Sequence, residues 1–114
     1  MANVAERPPA YEEHIVVEGQ SYTISCGTTI EDTVRWFFES LTTVRKVYWP
    51  VYDHGRFWGR FKTHFSLNTS LPLLYGLDIS NVELSDAGIY TCIDDHGDGR
   101  EHIHTLSVQG KRRP

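Results

Sequence analysis

Residues 77–92, Leu-Asp-Ile-Ser-Asn-Val-Glu-Leu-Ser-Asp-Ala-Gly-Ile-Tyr-Thr-Cys, constrain this chain more than any other stretch. Asp86, Gly88, Tyr90 and Cys92 recur at every second residue, behind an alternating apolar run. A strand turns successive side chains to opposite faces, so this spacing places all four on one side of a sheet. A second cysteine, Cys26, lies upstream, and Trp36 follows it by ten residues. The order along the chain is therefore Cys, Trp, then Asp-x-Gly-x-Tyr-x-Cys.

The chain's 114 residues suffice for one domain with a single hydrophobic core. Eleven basic against 15 acidic residues leave a net charge of −4, so overall charge gives no reason to expect nucleic acid as a partner. The basic run Lys111-Arg112-Arg113 lies past the last expected strand and reads as a solvated tail or linker. A juxtamembrane role for it would need a hydrophobic stretch that the sequence lacks, so no direct membrane contact is expected. The opening Met-Ala-Asn-Val-Ala-Glu-Arg-Pro-Pro has no apolar segment of the signal-peptide kind. Met1 is accordingly taken as an added start, and the chain as a domain cut from a longer secreted or membrane-anchored protein.

Residues 1–10 are expected to form a flexible lead, 11–109 the domain, and 110–114 a tail. His14–Gln20 reads as an edge strand stopped by a turn at Gly19. In Ser21–Cys26, alternation turns Tyr22, Ile24 and Cys26 inward. In Val34–Glu39, an inward Trp36 takes Val34 and Phe38 with it and leaves Arg35, Phe37 and Glu39 outside. Residues 44–52 are β-rich, but Pro50 cannot donate to a ladder, so an edge or strand end is expected. Asp53-His54-Gly55 signals a turn, Leu73–Val82 a strand with Leu77 and Ile79 inward, and Ala87–Ile93 the cysteine strand. His102–Val108 closes the sheet. About nine strands at this spacing predict an all-β sandwich.

The Cys–Trp–Asp-x-Gly-x-Tyr-x-Cys order resembles the immunoglobulin superfamily over roughly residues 12–109. The 55 residues between Trp36 and Cys92 leave room for the two extra strands of the variable (V) type. The resemblance implies a two-sheet V-type sandwich with one inter-sheet disulfide, Cys26–Cys92, and hence an oxidising compartment. Closing a loop of about 67 residues, such a bridge contributes roughly 4 kcal/mol in the chain-entropy model. Gly59-Arg60-Phe61 is similar to the family's entry into its fourth strand, where the arginine forms a bidentate salt bridge with the motif aspartate, here Asp86. Tyr90 matches the family's tyrosine corner. With Trp36, these residues are expected to be scaffold.

Two departures narrow the resemblance. No aromatic precedes Gly97-Asp98-Gly99, and Thr105-Leu-Ser-Val108 follows too late for the joining segment of antigen receptors. Ile93 stands where sialic-acid-binding members carry an arginine. The chain therefore looks like a germline-encoded V-type domain, of the sort found in innate receptors, adhesion molecules and lower-chordate VJ-like proteins.

His102 and His104 share a strand face, an arrangement zinc could use, yet the parity that turns Leu106 and Val108 inward turns both histidines coreward as packed, hydrogen-bonded groups. Asp94, Asp95 and Asp98 could supply carboxylates to calcium, but read more simply as a solvated acidic loop. No nucleophile is paired with a base and no phosphate-binding glycine pattern occurs. No enzyme activity, cofactor or metal is expected. Asn68-Thr69-Ser70 is a glycosylation sequon, expected in a loop that leaves the front sheet free.

The outward positions of the front (GFCC′) sheet are more telling. Phe37, Ile89, Thr91, Ile93, Ile103 and Thr105 should share its outer face, joined by Tyr48 or Trp49 and by Tyr52 from a strand whose parity Pro50 obscures. A solvated face is normally polar at such alternation, whereas this one is apolar and aromatic, as interface centres are. The expected function is an extracellular recognition module of a cell-surface or secreted immune-type receptor. It would bind a protein ligand, or a second copy of itself, through Phe37, Tyr48, Trp49, Ile93 and Ile103, with Arg35, Glu39 and Asp95 at the rim. The alternatives are a structural or adhesive spacer whose faces are merely covered, and calcium-dependent ligand binding through the acidic loop.

Overall fold

A computed structural model describes residues 8–26, 34–41, 47–68, 75–94 and 100–111. The acidic-loop residues Asp95 and Asp98 lie outside these, as do Thr69 and Ser70 of the sequon. The described strands are β1 (Ala10–Val17), β2 (Tyr22–Ile24), β3 (Val34–Ser40), β4 (Tyr48–Asp53), β5 (Arg56–Phe57), β6 (Phe65–Asn68), β7 (Gly76–Ile79), β8 (Gly88–Asp94) and β9 (His102–Gln109). They form a six-stranded front sheet, β1-β9-β8-β3-β4-β5, and a three-stranded back sheet, β2-β7-β6. Among the described residues no helix is long and apolar enough to cross a membrane.

The inward alternation fills the space between the sheets. Val34, Trp36 and Phe38 of β3, Tyr90 and Cys92 of β8, Leu106 of β9, and Ile24, Leu77 and Ile79 of the back sheet are all buried. Cys26 and Cys92 form the inter-sheet disulfide, with Cα atoms 5.7 Å apart. Trp36 packs beside it and donates its indole N–H to the Tyr75 carbonyl at 3.0 Å. Burying an aromatic with a polar tip is favourable when that tip finds a partner, as here.

Below this core, Asp86 is fully buried in a short 3-10 turn, Leu84–Asp86. Its Oδ1 accepts from Arg60 Nη1 at 2.9 Å. Its Oδ2 accepts from the Glu83 backbone N–H at 2.8 Å and lies 2.9 Å from His64 Nε2. The expected bidentate pair between Arg60 and Asp86 is therefore corrected. With Oδ2 already occupied, the second arginine nitrogen, Nη2, instead donates to the Ser85 carbonyl at 2.9 Å. The Tyr90 hydroxyl donates to the Asp86 carbonyl at 2.6 Å. Burial, with the Asp86 charge adding to it, pushes the Tyr90 phenol far above its usual pKa, so it stays a donor.

Other differences are local. Ala10, placed in the lead by the sequence, begins β1, and its N–H donates to the Glu101 carbonyl at 2.8 Å. Gly59–Lys62 is a 3-10 turn rather than the start of a strand. Asn68, expected in a loop, ends β6 opposite Gly76, and its Nδ2 donates to Asp78 at 3.1 Å. It lies on the back sheet, away from the outer face of the front sheet. The His54-Gly55 turn joining β4 to β5 has φ of 55° and 75°, the left-handed pair a two-residue hairpin requires.

Candidate protein-interaction face

The front sheet brings together residues that are distant in sequence through its register. Phe37 of β3 pairs with Thr91 of β8, Thr91 with Ile103 of β9, and Ile103 with Tyr11 of β1. On the other side Phe37 pairs with Pro50 of β4. Pairs directly opposite one another share a face, so Pro50, Phe37, Thr91, Ile103 and Tyr11 form one row across five strands. At the usual strand spacing that row is about 19 Å long. A parallel row of Tyr48, Glu39, Ile89, Thr105 and Glu13 runs beside it. On the other flank Arg35 pairs with Ile93.

Between these rows lies a shallow concavity of about 470 Å³, lined by Tyr11, Phe37, Glu39, Tyr48, Ile89, Thr91, Ile93, Glu101 and Ile103. Of the residues named from sequence, Phe37, Tyr48, Ile93, Ile103 and Glu39 therefore meet at one place, and Arg35 borders it. Glu39 differs from its expected position at the rim. It is only 9% exposed, sunk into the floor between Tyr48 and Ile89, its partners in register. A carboxylate held there is an acceptor at the centre of an otherwise apolar surface.

Trp49 does not join this face. A bulge between Trp36 and Phe37 sets Trp36 opposite Tyr52 while Phe37 stays opposite Pro50, leaving Val51 as the extra residue. On the regular side of the bulge, Tyr48 faces outward with Glu39, whereas Trp49 follows Phe38 to the inner side. There Trp49, still largely exposed, overhangs a hollow of about 660 Å³ with Phe38, Trp58, Arg60, Phe61 and Leu84. The same bulge turns Tyr52 inward, where it is buried with its ring 4.9 Å from that of Phe57. Local parity could not reveal this, because a bulge shifts parity without a local sequence marker beyond the proline.

Sequence reasoning also missed Tyr11, 72% exposed at the end of the apolar row, and Ile15, exposed four residues further along the same strand. Both reach this face because β1 runs parallel to β9, from Ala10 opposite His102 to Val17 opposite Gln109. The alternation of Tyr11, Glu13 and Ile15 against buried Val16 was a usable signal for the outward set. The neighbouring strand was not legible.

The inner side of the same strand pair carries the histidines. His104 is buried, and its Nε2–H donates to the Ser25 carbonyl at 2.7 Å. Its Nδ1 must then accept, and His14 Nε2 is 2.8 Å away. His14 Nδ1 in turn accepts from the Tyr22 hydroxyl at 2.6 Å. Every proton in this chain is accounted for with both imidazoles neutral. Burial lowers both pKa values, against the raising effect of the Glu12 carboxylate. His104, expected as a packed and hydrogen-bonded group, is placed in that way.

A family model described as the immunoglobulin V-set domain matches residues 11–109. A search of curated proteins finds no match. Among solved structures, the chain is similar to the second Ig domain of the mouse polymeric immunoglobulin receptor, with a TM-score of 0.67 and 17% identity, over 90% of this chain and 99% of that one. At this identity the likeness is one of fold. Since 1463 solved chains match, fold alone leaves the partner open.

Proposed function

The chain belongs to the immunoglobulin V-set family, whose members are typically recognition and adhesion modules, and we propose that it is an extracellular recognition domain of an immune-type receptor or secreted protein, binding a protein partner through the outer face of β9, β8, β3 and β4. The observation that carries this reading is the row Pro50–Phe37–Thr91–Ile103–Tyr11, four of whose five members are apolar or aromatic on a face that would otherwise be solvated. An apolar row bordered by Arg35 and Glu101, with the Glu39 carboxylate sunk in its floor, has the composition of an interface centre with a polar rim. The disulfide fits an oxidising, extracellular setting. The V-set fold generally serves binding rather than catalysis, and we assign no reaction to this chain.

The test uses the domain, tetramerised, as a probe against cells and recombinant ectodomains, together with sedimentation from low to high micromolar concentration to detect self-association. Phe37→Asp and Ile103→Asp should each weaken whichever association is found by about thirtyfold or more, the effect of losing a contact of about 2 kcal/mol. Both should leave the melting temperature nearly unchanged. Association that survives both substitutions would move the binding surface elsewhere. An equal loss of stability would make these residues core.

A further inference from the structure

The inner faces of β1 and β9 converge on a group with the geometry of a metal site. Glu12 lies opposite His104 in the parallel register, and His14 follows Glu12 by two residues on the same face. Glu12 Oε2 is 3.5 Å from His14 Nε2 and 3.4 Å from His104 Nδ1, and the two nitrogens are 2.8 Å apart. Tetrahedral zinc with bonds of about 2.05 Å sets its ligand atoms about 3.3 Å apart. One point, about 0.8 Å off the plane of these three atoms, lies about 2.05 Å from each, close to the offset of about 0.7 Å in a regular tetrahedron.

We propose that Glu12, His14 and His104 bind a zinc ion, with a fourth position left open for water or a ligand. This departs from the sequence expectation of no metal, and from a zinc pair built on His102 and His104. Three further features support it. The Ser25 carbonyl holds the His104 Nε2 proton, which leaves Nδ1 free to ligate. Outer-shell carbonyls serve metal-binding histidines in this way. Tyr22 is placed to do the same for His14. On binding, His14 gives up the Nε2 proton now directed at His104 and carries one on Nδ1 instead, while the Tyr22 hydroxyl changes from donor to acceptor. The tautomer changes, with no net proton lost from His14. Lastly, the Glu12 side chain is 57% exposed, so an ion can reach the group from solvent, while both imidazoles are largely buried. Two imidazoles and one carboxylate suit zinc and copper(II) better than calcium or magnesium, which favour all-oxygen shells. Bound zinc would fasten β1 to β9 from within, while Tyr11 and Glu13 project from the opposite face of β1.

The experiment titrates the EDTA-treated, dialysed domain with zinc chloride at pH 7.5 by calorimetry, with calcium and magnesium chloride as comparison. Melting curves and long-range ¹H–¹⁵N spectra of the imidazoles are recorded alongside. One equivalent of zinc should bind, raise the melting temperature, and convert His14 to the Nδ1–H tautomer with Nε2 on the metal. Glu12→Gln alters one exposed carboxylate and should still fold, yet it should weaken binding by more than the roughly 10–100-fold that outer-shell changes cause. His14→Ala should abolish it. His54→Ala, on an exposed turn remote from the group, should leave it unchanged. Absence of saturable binding below millimolar zinc would overturn the proposal. So would binding that persists in Glu12→Gln and His14→Ala, or that His54→Ala removes. The fate of Phe37→Asp bears on the front face alone, so the two readings stand or fall separately.

Discussion

Asp86→Asn tests whether one buried carboxylate organises the base of the sandwich. Asp86 accepts at Oδ1 from Arg60 and at Oδ2 from the Glu83 N–H, with His64 Nε2 also at Oδ2. Asparagine keeps the shape but offers one accepting oxygen and one NH₂ donor. If its oxygen replaces Oδ2, the bond to Glu83 survives and the NH₂ confronts the Arg60 guanidinium, donor against donor. The reverse orientation sets the NH₂ against the Glu83 N–H, donor against donor, and gives up the bond that closes the Leu84–Asp86 turn. The first orientation should win, at the loss of one charge-assisted hydrogen bond, about 1.5–3 kcal/mol. The lower half of that range is favoured because the Arg60 side chain is 41% exposed and can regain water. About 2 kcal/mol corresponds to a fall in melting temperature of roughly 8 °C for a domain of this size. Asp86→Ala, which abandons all three partners, should cost about 3–5 kcal/mol. Urea denaturation at constant m-value measures both, and a double-mutant cycle with Arg60→Ala isolates the pair. If Asp86→Asn lies within about 0.5 kcal/mol of the parent, the assignment of Asp86 as a hub is wrong.

Gly88→Ala should destabilise by about 2 kcal/mol or more, because its Cβ would lie 2.5 Å from both the Glu39 carbonyl oxygen and Phe38 Cε1, and backbone cannot yield cheaply. Since Glu39 floors the proposed binding face, this change should also weaken partner binding; wild-type stability in the variant would refute the close approach. In metal-free protein, His14 and His104 have pKa values lowered mainly by burial, so below about pH 6.5 the unfolded chain binds more protons than the folded one. Their contribution to stability is therefore complete above about pH 6.5 and declines as pH falls. Glu12, Tyr22 and His102 are the ionisable groups around them, and removing Glu12, which raises both values, should extend the decline to lower pH. The check is the pH slope of the unfolding free energy in wild type minus that in His14→Asn, and a zero difference between pH 7 and pH 5 would contradict it.

The sandwich was legible in the chain because its markers are local. A spacing of two residues orients Tyr90 and Cys92, and the same rule separates Trp36 and Phe38 from Phe37 and Glu39. Most of the front face could be listed on that basis, since Phe37, Ile89, Ile93 and Ile103 each follow from the parity of a single strand. Tyr52 was misplaced where one bulged residue reversed the parity of β4, and Trp49 because it alternates with Tyr48 and cannot share its face. Tyr11 was missed for a different reason. Its outward direction was readable, but not the strand it would lie beside.

The sequence by itself determined the inside and outside of each strand, the cysteine pair through its family motif, and hence the V-set sandwich. Only the tertiary structure decided which strands are neighbours and in what register. It set β1 parallel to β9, and so brought Tyr11 to Ile103 on one face and Glu12 and His14 to His104 on the other, across about ninety residues of chain. It also brought His64, 22 residues away in sequence, to the second oxygen of Asp86, while Arg60 reaches only the first. The physical reason is common to these cases. Side-chain alternation is a property of the local backbone, whereas register and partner choice arise from packing between segments that no local pattern links.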